Sequence, residues 1–287
     1  MSKYKKYIAP LAVLLLLIIL VAYFRYRERP PEHKPETFPA GRPPAVLNLG
    51  LGNPSGATND PSNKNNYLMS KSQYVLSYNN DKGEPNWVSW HLQSSDIGNV
   101  ERQNNFHAEQ SLPGGFKRVT PDDYTGTGFD RGHVCNSKDR TDTEANNSET
   151  FSMANMLPQT PDLNRQVWES LESYCRTLAQ QGNQLYIIAG AYGSAKTIGR
   201  ANKVNVPTNC WKIVVVMPQG SNDLSRIDKN TRVIAVDMPN KQGISLDSWD
   251  KYLTTVGSLE QKTGYKFFTD LPGDVQSALK AKKDAGR

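Results

Sequence analysis

The longest apolar stretch lies near the N-terminus, where the 18 residues 7–24 contain no charged side chain. An α-helix rises about 1.5 Å per residue, so this stretch would span about 27 Å, close to the bilayer hydrocarbon thickness of about 30 Å. No small-residue cleavage site follows Phe24, although a cleaved signal peptide requires one. The pattern predicts a signal anchor within residues 1–24, with a cleaved signal peptide as the alternative.

Proline dominates the following segment, residues 25–45, which has six prolines between Arg29 and Pro44. This composition favours an extended, semi-rigid spacer. The sequence therefore predicts three parts, namely the N-terminal segment 1–24, a proline-rich linker 25–45 and a globular domain 46–287.

Strand patterns are frequent in the globular part. Residues 74–78 and 87–92 have strand-like composition and flank a segment rich in turn residues, which predicts a β-hairpin. Residues 185–189, 212–217 and 231–238 are rich in β-branched side chains and predict inner strands of a sheet.

Helix patterns alternate with these strands. After Thr160-Pro161, which is typical of a helix start, apolar residues recur every three or four positions until Gly182 ends the pattern. A second helix is predicted over residues 248–264 and a third near Asp274. This order predicts an α+β fold with an antiparallel sheet core flanked by helices.

The positive charge of the chain, formally +6, is concentrated at its N-terminus. Of 34 basic and 28 acidic residues, six basic and one acidic lie within residues 1–29. The remainder is therefore almost neutral, and its net charge gives no argument for nucleic-acid binding.

The clearest candidate for chemistry is the tetrapeptide Asp130-Arg131-Gly132-His133. A histidine can act as a general base near neutral pH, and an arginine can neutralise a phosphate. Farther along, Asn164 lies near the start of the predicted helix and Glu172 lies eight residues later. In an α-helix these two side chains are about 80° apart, so both can border one site.

Four motifs, in their order along the chain, resemble those of the DNA/RNA non-specific endonucleases, a family with an Asp-Arg-Gly-His motif and a ββα-metal active site. Besides the tetrapeptide, the matching segments are residues 98–106, 153–161 and 168–175. The resemblance runs from about Leu49 to about Phe268 and is strongest to the cyanobacterial sugar-non-specific nucleases. One departure is Val134-Cys135-Asn136, where the family commonly has an apolar residue, a small residue and proline.

The resemblance implies roles for six residues. His133 would be the general base, Asn164 the direct protein ligand of a divalent cation, and Glu172 the residue that orients metal-bound water. Arg102 would grip the scissile phosphate. Arg131 and Asn155 would contact the substrate or shape the site.

The same resemblance implies the reaction and its partners. We expect a phosphodiester hydrolase that cuts DNA and RNA internally, leaves 5′-phosphate ends, and uses Mg²⁺ or Mn²⁺. A protein inhibitor is a further partner that the resemblance allows. Because such an enzyme would endanger its own genome in the cytoplasm, we expect an extracytoplasmic location, either anchored by residues 7–24 or secreted after cleavage.

Two other hypotheses remain open from the sequence. The first is a membrane-anchored nucleic-acid-binding protein of a DNA-uptake system with weak catalysis. The second is a cysteine hydrolase that uses Cys135, which lies two positions from His133.

Zinc is disfavoured, because no paired cysteine or histidine ligand set occurs. His91 is predicted on a strand surface and His107 in a loop.

Overall fold

The computed structural model describes residues 47–220 and 223–286. Their central element is a six-stranded antiparallel sheet with strand order β1-β2-β3-β6-β9-β10. Its strands are β1 (Tyr67–Ser70), β2 (Val75–Asn79), β3 (Glu84–Leu92), β6 (Asn183–Tyr192), β9 (Asn209–Pro218) and β10 (Arg232–Pro239). The predicted hairpin and the three further predicted strands are present, but the inner strand predicted over residues 231–238 is β10, which lies at the edge of the sheet.

Two short antiparallel strand pairs lie outside this sheet in the described part of the chain. One consists of β4 (Asp130–His133) and β5 (Met156–Gln159), and the other of β7 (Lys196–Ile198) and β8 (Val204–Val206). The α-helices are α1 (Glu144–Glu149), α2 (Glu169–Gln180), α3 (Val256–Thr263) and α4 (Gly273–Ala281).

Helices cover both faces of the central sheet. On one face, Leu171 of α2 belongs to the same buried cluster as Val214 of β9. On the other face, Leu259 of α3 and Leu279 of α4 belong to a second cluster with Ile213 of β9. Successive side chains of a strand point to opposite faces, so β9 contributes to both cores. This arrangement confirms the predicted antiparallel sheet flanked by helices.

The helix that precedes β6 is less regular than its sequence indicates. It begins at Pro161, but residues Leu163–Trp168 form a π-helical segment before the regular α2. A π-turn accommodates one extra residue, so the effective spacing from Asn164 to Glu172 is about seven α-helical positions. Their angular separation falls from about 80° to about 20°, which brings both residues nearer to one face.

The helix predicted over residues 248–264 is wrong in one respect, because it consists of two pieces. A 3₁₀ turn, Trp249–Tyr252, is separated from α3 by an extended Leu253. At this break Leu253 forms a β-bridge to Val236, and the amide of Thr254 donates to the carbonyl of Ala235 at 2.9 Å. Pairing with the edge strand β10 therefore interrupts the helix.

The predicted position of His91 on a strand surface is also wrong. It is only 6% exposed, and its Nε2 lies 2.9 Å from Oε1 of Gln184. Both sheet faces are covered, so the strand surface that its sequence pattern predicted is buried.

The predicted anchor and linker lie outside the described residues. Within 47–220 and 223–286, no helix is long and apolar enough to cross a membrane.

Candidate active site

The strand pair β4–β5 and the helix that follows it form a ββα unit. Asp130 pairs with Gln159, and His133 pairs with Met156 at the other end of the strand pair. Between them, a Cβ on Gly132 would lie 2.0 Å from Oε1 of the buried Gln159. The motif therefore needs glycine at this position because the neighbouring side chain occupies the space.

A cleft of about 330 Å³ opens beside this unit. Three of the predicted site residues, Arg102, Arg131 and Asn164, line it. Its other lining residues are Phe106, Tyr124, Phe129, Asp130 and Arg165. Guanidinium groups recognise phosphate oxygens, and aromatic rings provide stacking surfaces for bases. The lining is therefore chemically suited to nucleic acid.

Asn164 is held by Asp130, the first residue of the motif. The amide Nδ2 of Asn164 donates to Oδ2 of Asp130 at 2.9 Å. Arg165 donates to both carboxylate oxygens, at 2.8 and 2.7 Å. Burial raises the pKa of Asp130, but the hydrogen bonds from Arg165 and Asn164 outweigh it and lower the pKa below its usual value. Because Asp130 takes the N–H side of the amide, Oδ1 of Asn164 can face a cation.

His133 is buried at 6% exposure and packs against two phenylalanine rings that also contact each other. The ring centroids of Phe151 and Phe106 lie 4.8 and 5.6 Å from that of His133. Its Nε2 atom is buried and makes no hydrogen bond to the described part of the chain. Burial, together with the charge of Arg102, lowers the pKa of His133 to about 3. The imidazole is therefore neutral at neutral pH, the form that retains a lone pair on one ring nitrogen.

Two arginines cover the same phenylalanines. The guanidinium carbon of Arg102 lies 4.8 Å from the Phe151 ring centroid, and that of Arg131 lies 4.9 Å from the Phe106 centroid. Arg102 also donates to Oγ of Ser137 at 2.7 Å. The buried Nε of Arg131 has no hydrogen-bond acceptor among the described residues. The site therefore has an aromatic layer with His133 against it and two cations on it.

Glu172 is not among the residues that line the cleft and is buried, at 3% exposure. Its Oε2 accepts a hydrogen bond from the amide of Asn136, and its Oε1 lies 3.3 Å from Nζ of Lys212. Burial raises the pKa of this carboxyl, which the charge of Lys212 opposes. Asn136 thus contacts Glu172 from the position where the family commonly has proline.

Asn155 is fully buried, and its amide is used within the protein. Its Nδ2 donates to the carbonyls of Cys135 and Thr150, both at 2.9 Å, and its Oδ1 accepts from the amide of Cys135 at 2.9 Å. These bonds brace the segment that follows His133. Of the two roles that the resemblance implied, this geometry fits shaping the site.

The cysteine-hydrolase hypothesis finds no support in this geometry. Cys135 is fully buried, and burial raises the pKa of its thiol to about 12. A thiol with such a pKa stays protonated at neutral pH and is a poor nucleophile. Cys175 and Cys210 are also buried, and all three thiols are free.

The donor chemistry fits a hydrated hard cation. No group of three or more histidine, cysteine, aspartate or glutamate side chains that could hold a metal ion occurs within the described ranges. Mg²⁺ needs few protein oxygens, because it retains several of its waters. One amide oxygen at Asn164 is consistent with that requirement.

The model of the DNA/RNA non-specific endonuclease family matches residues 51–274, which include every residue of this site. The chain belongs to that family. Membership confirms the resemblance drawn from the motifs. The chain is accordingly a non-specific endonuclease of DNA and RNA, and it depends on a divalent metal ion.

Individual relatives agree with the family assignment. A nuclease from the cyanobacterium Nostoc sp. is 50% identical over 244 residues, covering 84% of this chain and 88% of the relative. Human mitochondrial endonuclease G is 28% identical over 217 residues, covering 71% and 70%. Among solved structures, the EndoG/EndoGI complex, which was described for the mechanism of EndoG inhibition, matches with a TM-score of 0.68 and 26% sequence identity. The match covers 81% of this chain and 94% of the other chain. A binding protein with weak catalysis finds no support in these matches.

Sequence reasoning missed the contacts of two residues, Asp130 and Lys212. Asp130 was recognised as part of a motif, but its contact with Asn164 depends on the helix packing beside β4. Lys212 is a lysine within an inner strand. A charged residue in a buried strand is rare unless it is paired, and that signal could have identified it.

Proposed function

We propose that this endonuclease hydrolyses phosphodiester bonds with His133 as general base, at a divalent cation held by Asn164. The observation that carries the proposal is the buried, neutral imidazole of His133, whose Nε2 makes no hydrogen bond to the described residues, beside two arginines of the cleft. When bound, the cation supplies positive charge that stabilises the leaving oxygen.

His133 accepts the proton of the attacking water. A neutral imidazole can do so, and the negative charge of an arriving phosphate favours the imidazolium that results. In the free protein Nε2 is covered. Because Arg102 and Arg131 lie on the phenylalanines next to His133, a phosphate that draws them to itself would also expose the base.

The two arginines bind the scissile phosphate. Arg102 stabilises the charge that grows on the non-bridging oxygens in the transition state. Arg131 can direct its Nε, which has no acceptor among the described residues, to the substrate. Contacts of this kind address the backbone and carry no information about base edges, which accounts for cleavage of many sequences and of both sugars.

Three further residues prepare the cation site. Asp130 fixes the amide of Asn164, and Glu172 would orient water bound to the cation. Asn155 holds the segment after His133 in place through its three backbone hydrogen bonds. The donor set suits Mg²⁺, with Mn²⁺ as a second ion of similar preference.

Substitution of His133 tests the base. We expect His133→Ala to abolish most cleavage of plasmid DNA and of RNA with Mg²⁺ while the thermal unfolding curve stays cooperative. His107→Ala is the matched control, because His107 does not line the cleft and should cut at close to the wild-type rate. Wild-type rates in folded His133→Ala would remove the base from the mechanism.

Substitution of Asn164 tests the cation site separately. Asn164→Ala should raise the Mg²⁺ concentration for half-maximal rate at least tenfold, and calorimetric titration with Mn²⁺ should show weakened binding. Unchanged titrations would exclude Asn164 as the ligand. Sequencing of the product ends should show internal cuts with 5′-phosphates.

Location and partners are also proposals. We propose that residues 7–24 hold the enzyme at a membrane with the nuclease domain outside the cytoplasm, because this segment is uncharged and a proline-rich spacer follows it. A protein inhibitor is a further proposed partner, since the EndoG structure that this chain matches is the EndoG/EndoGI complex, which was described for the mechanism of EndoG inhibition.

A further inference from the structure

A lysine is buried where the central sheet meets α2. Lys212 lies on β9, and its side chain is 1% exposed. Its Nζ is 3.3 Å from Oε1 of Glu172 and lies over the rings of Trp168 and Trp90, at 4.2 and 5.6 Å from their centroids. An ammonium group loses its hydration here, which is costly unless a partner compensates.

Packing alone does not require a charge at this position. Cys210 and Val214, two residues to either side on the same face of β9, belong to the apolar cluster that contacts α2. A methionine would fill similar space, and apolar residues that replace both partners of a buried ion pair commonly cause no loss of stability, whereas removal of one partner leaves the other charge uncompensated. The charge of Lys212 therefore points to a requirement of its partner, Glu172.

Other charged and titratable groups also face Glu172. Arg176 lies on the same helix, Asp139 on the 3₁₀ turn after β4, and Arg102 on the loop that lines the cleft, while Cys135 and Cys175 contribute buried thiols. Arg176 is engaged by Asp139 at 3.2 Å. Among the described residues, Lys212 is the cation that forms an ion pair with Glu172.

We propose that Lys212 is a positioning residue, which keeps Glu172 ionised and fixes the direction of its carboxylate toward the cation site. This inference rests on the role proposed above for Glu172. Lys212 and Asn136 each bind one carboxylate oxygen, and each oxygen retains a further lone pair for a water molecule. Without Lys212, burial would favour the protonated carboxyl, which cannot order water in the same way.

The test replaces Lys212 in the full chain and measures kcat and KM on DNA across pH. In Lys212→Met, the acidic limb of the kcat profile should move upward by one pH unit or more. At pH 6 kcat should fall at least tenfold and recover at alkaline pH, with KM changed less than threefold. Lys212→Arg should restore the wild-type limb, because it restores the cation.

Val214→Ala is the matched control on the same strand and face. It loosens the core without changing the charge at Glu172, so its acidic limb should coincide with that of the wild type. An unshifted limb in Lys212→Met, with kcat lowered equally at every pH, would overturn the proposal and leave Lys212 a purely structural role.

A second measurement uses metal-free protein in chelator and does not depend on activity. In the wild type burial already raises the pKa of Glu172 above its unfolded value, and the charge of Lys212 opposes this rise. Lys212→Met removes that opposition, so its stability to denaturant should fall as pH rises above about 4.5 and should go on falling to higher pH than that of the wild type. The double variant Lys212→Met/Glu172→Gln carries no such carboxyl and should lose this pH dependence. Equal pH dependence in both variants would contradict the proposal, even where Lys212→Met folds poorly.

The variant Glu172→Gln separates this inference from the proposed function. If it cuts DNA at the wild-type rate, the role of Glu172 itself fails. If it is inactive while Lys212→Met keeps the wild-type pH profile, only the positioning role of Lys212 fails.

Discussion

His133 is the proposed general base, yet its imidazole stays neutral even in mild acid, where a histidine exposed to water would be protonated. The pKa of its imidazole is lowered from 6.5 to about 3, because burial disfavours the imidazolium and Arg102 repels it. The burial that keeps the base neutral also makes folding sensitive to acid.

The first prediction concerns this acid sensitivity. The unfolded chain binds a proton at His133 below about pH 6.5, and the native state does not until about pH 3. The contribution of His133 to the free energy of unfolding is therefore fully present above pH 6.5. It falls by up to about 1.4 kcal/mol per pH unit as the pH decreases from 6.5 toward 3. Denaturant unfolding in chelator should show this loss in the wild type relative to His133→Asn. Parallel stability curves from pH 7 to pH 4 would show that His133 titrates normally.

Gly132 makes a second prediction at the residue scale. A Cβ there would lie 2.0 Å from Oε1 of Gln159, which is fully buried, so Gly132→Ala should destabilise by about 1–3 kcal/mol through overpacking. The change should also lower kcat, because it displaces β4 and with it His133. Adding Gln159→Ala should recover part of the stability. Gly114→Ala, which meets no atom within 4 Å, is the control and should unfold like the wild type.

At the scale of elements, the β7–β8 hairpin adds a cation beside the cleft. Nζ of Lys196 lies 4.8 Å from the ring centroid of Phe129, a lining residue. A phosphate that passes this edge of the cleft would meet an exposed ammonium group.

Lys196→Gln should therefore weaken substrate binding without affecting the chemical step. We expect KM for DNA to rise several-fold, kcat to stay within twofold, and the slope of log KM against log salt to decrease by about one, as for the loss of one phosphate contact. Lys251→Gln, at an exposed lysine paired with Asp247, should leave the slope unchanged. An equal slope in both variants would remove Lys196 from the substrate path.

The helices show where element prediction succeeds and fails. Capping and periodicity predicted the start at Pro161 and the end near Gly182, because those signals are local. The π-helical segment Leu163–Trp168 and the break at Leu253 have no comparable local signal. The break results from pairing with β10, whose residues lie more than ten positions away.

At the scale of the whole molecule, the catalytic proposal involves no residue before Arg102. Removal of residues 1–44 should therefore give a soluble enzyme with kcat and KM close to those of the full chain. Fractionation of cells that express the full chain should place activity in the membrane fraction, and protease should reach the nuclease domain from outside. A soluble form that begins after residue 24 would identify a cleaved signal peptide instead, and protection of the domain on the cytoplasmic side would overturn the orientation.

The sequence alone determined five of the six strands of the central sheet, the α+β class and the motif that carries His133, and its family resemblance pointed to Asn164 and Glu172. Alternation, helical periodicity and turn residues act over a few positions, so they can be recognised without knowing the fold. Only the tertiary structure decided that His91 is buried, that Asp130 holds Asn164, and that Lys212 pairs with Glu172 across 40 positions. Each of these contacts joins segments that local patterns cannot relate, because their meeting depends on how the helices pack on the sheet.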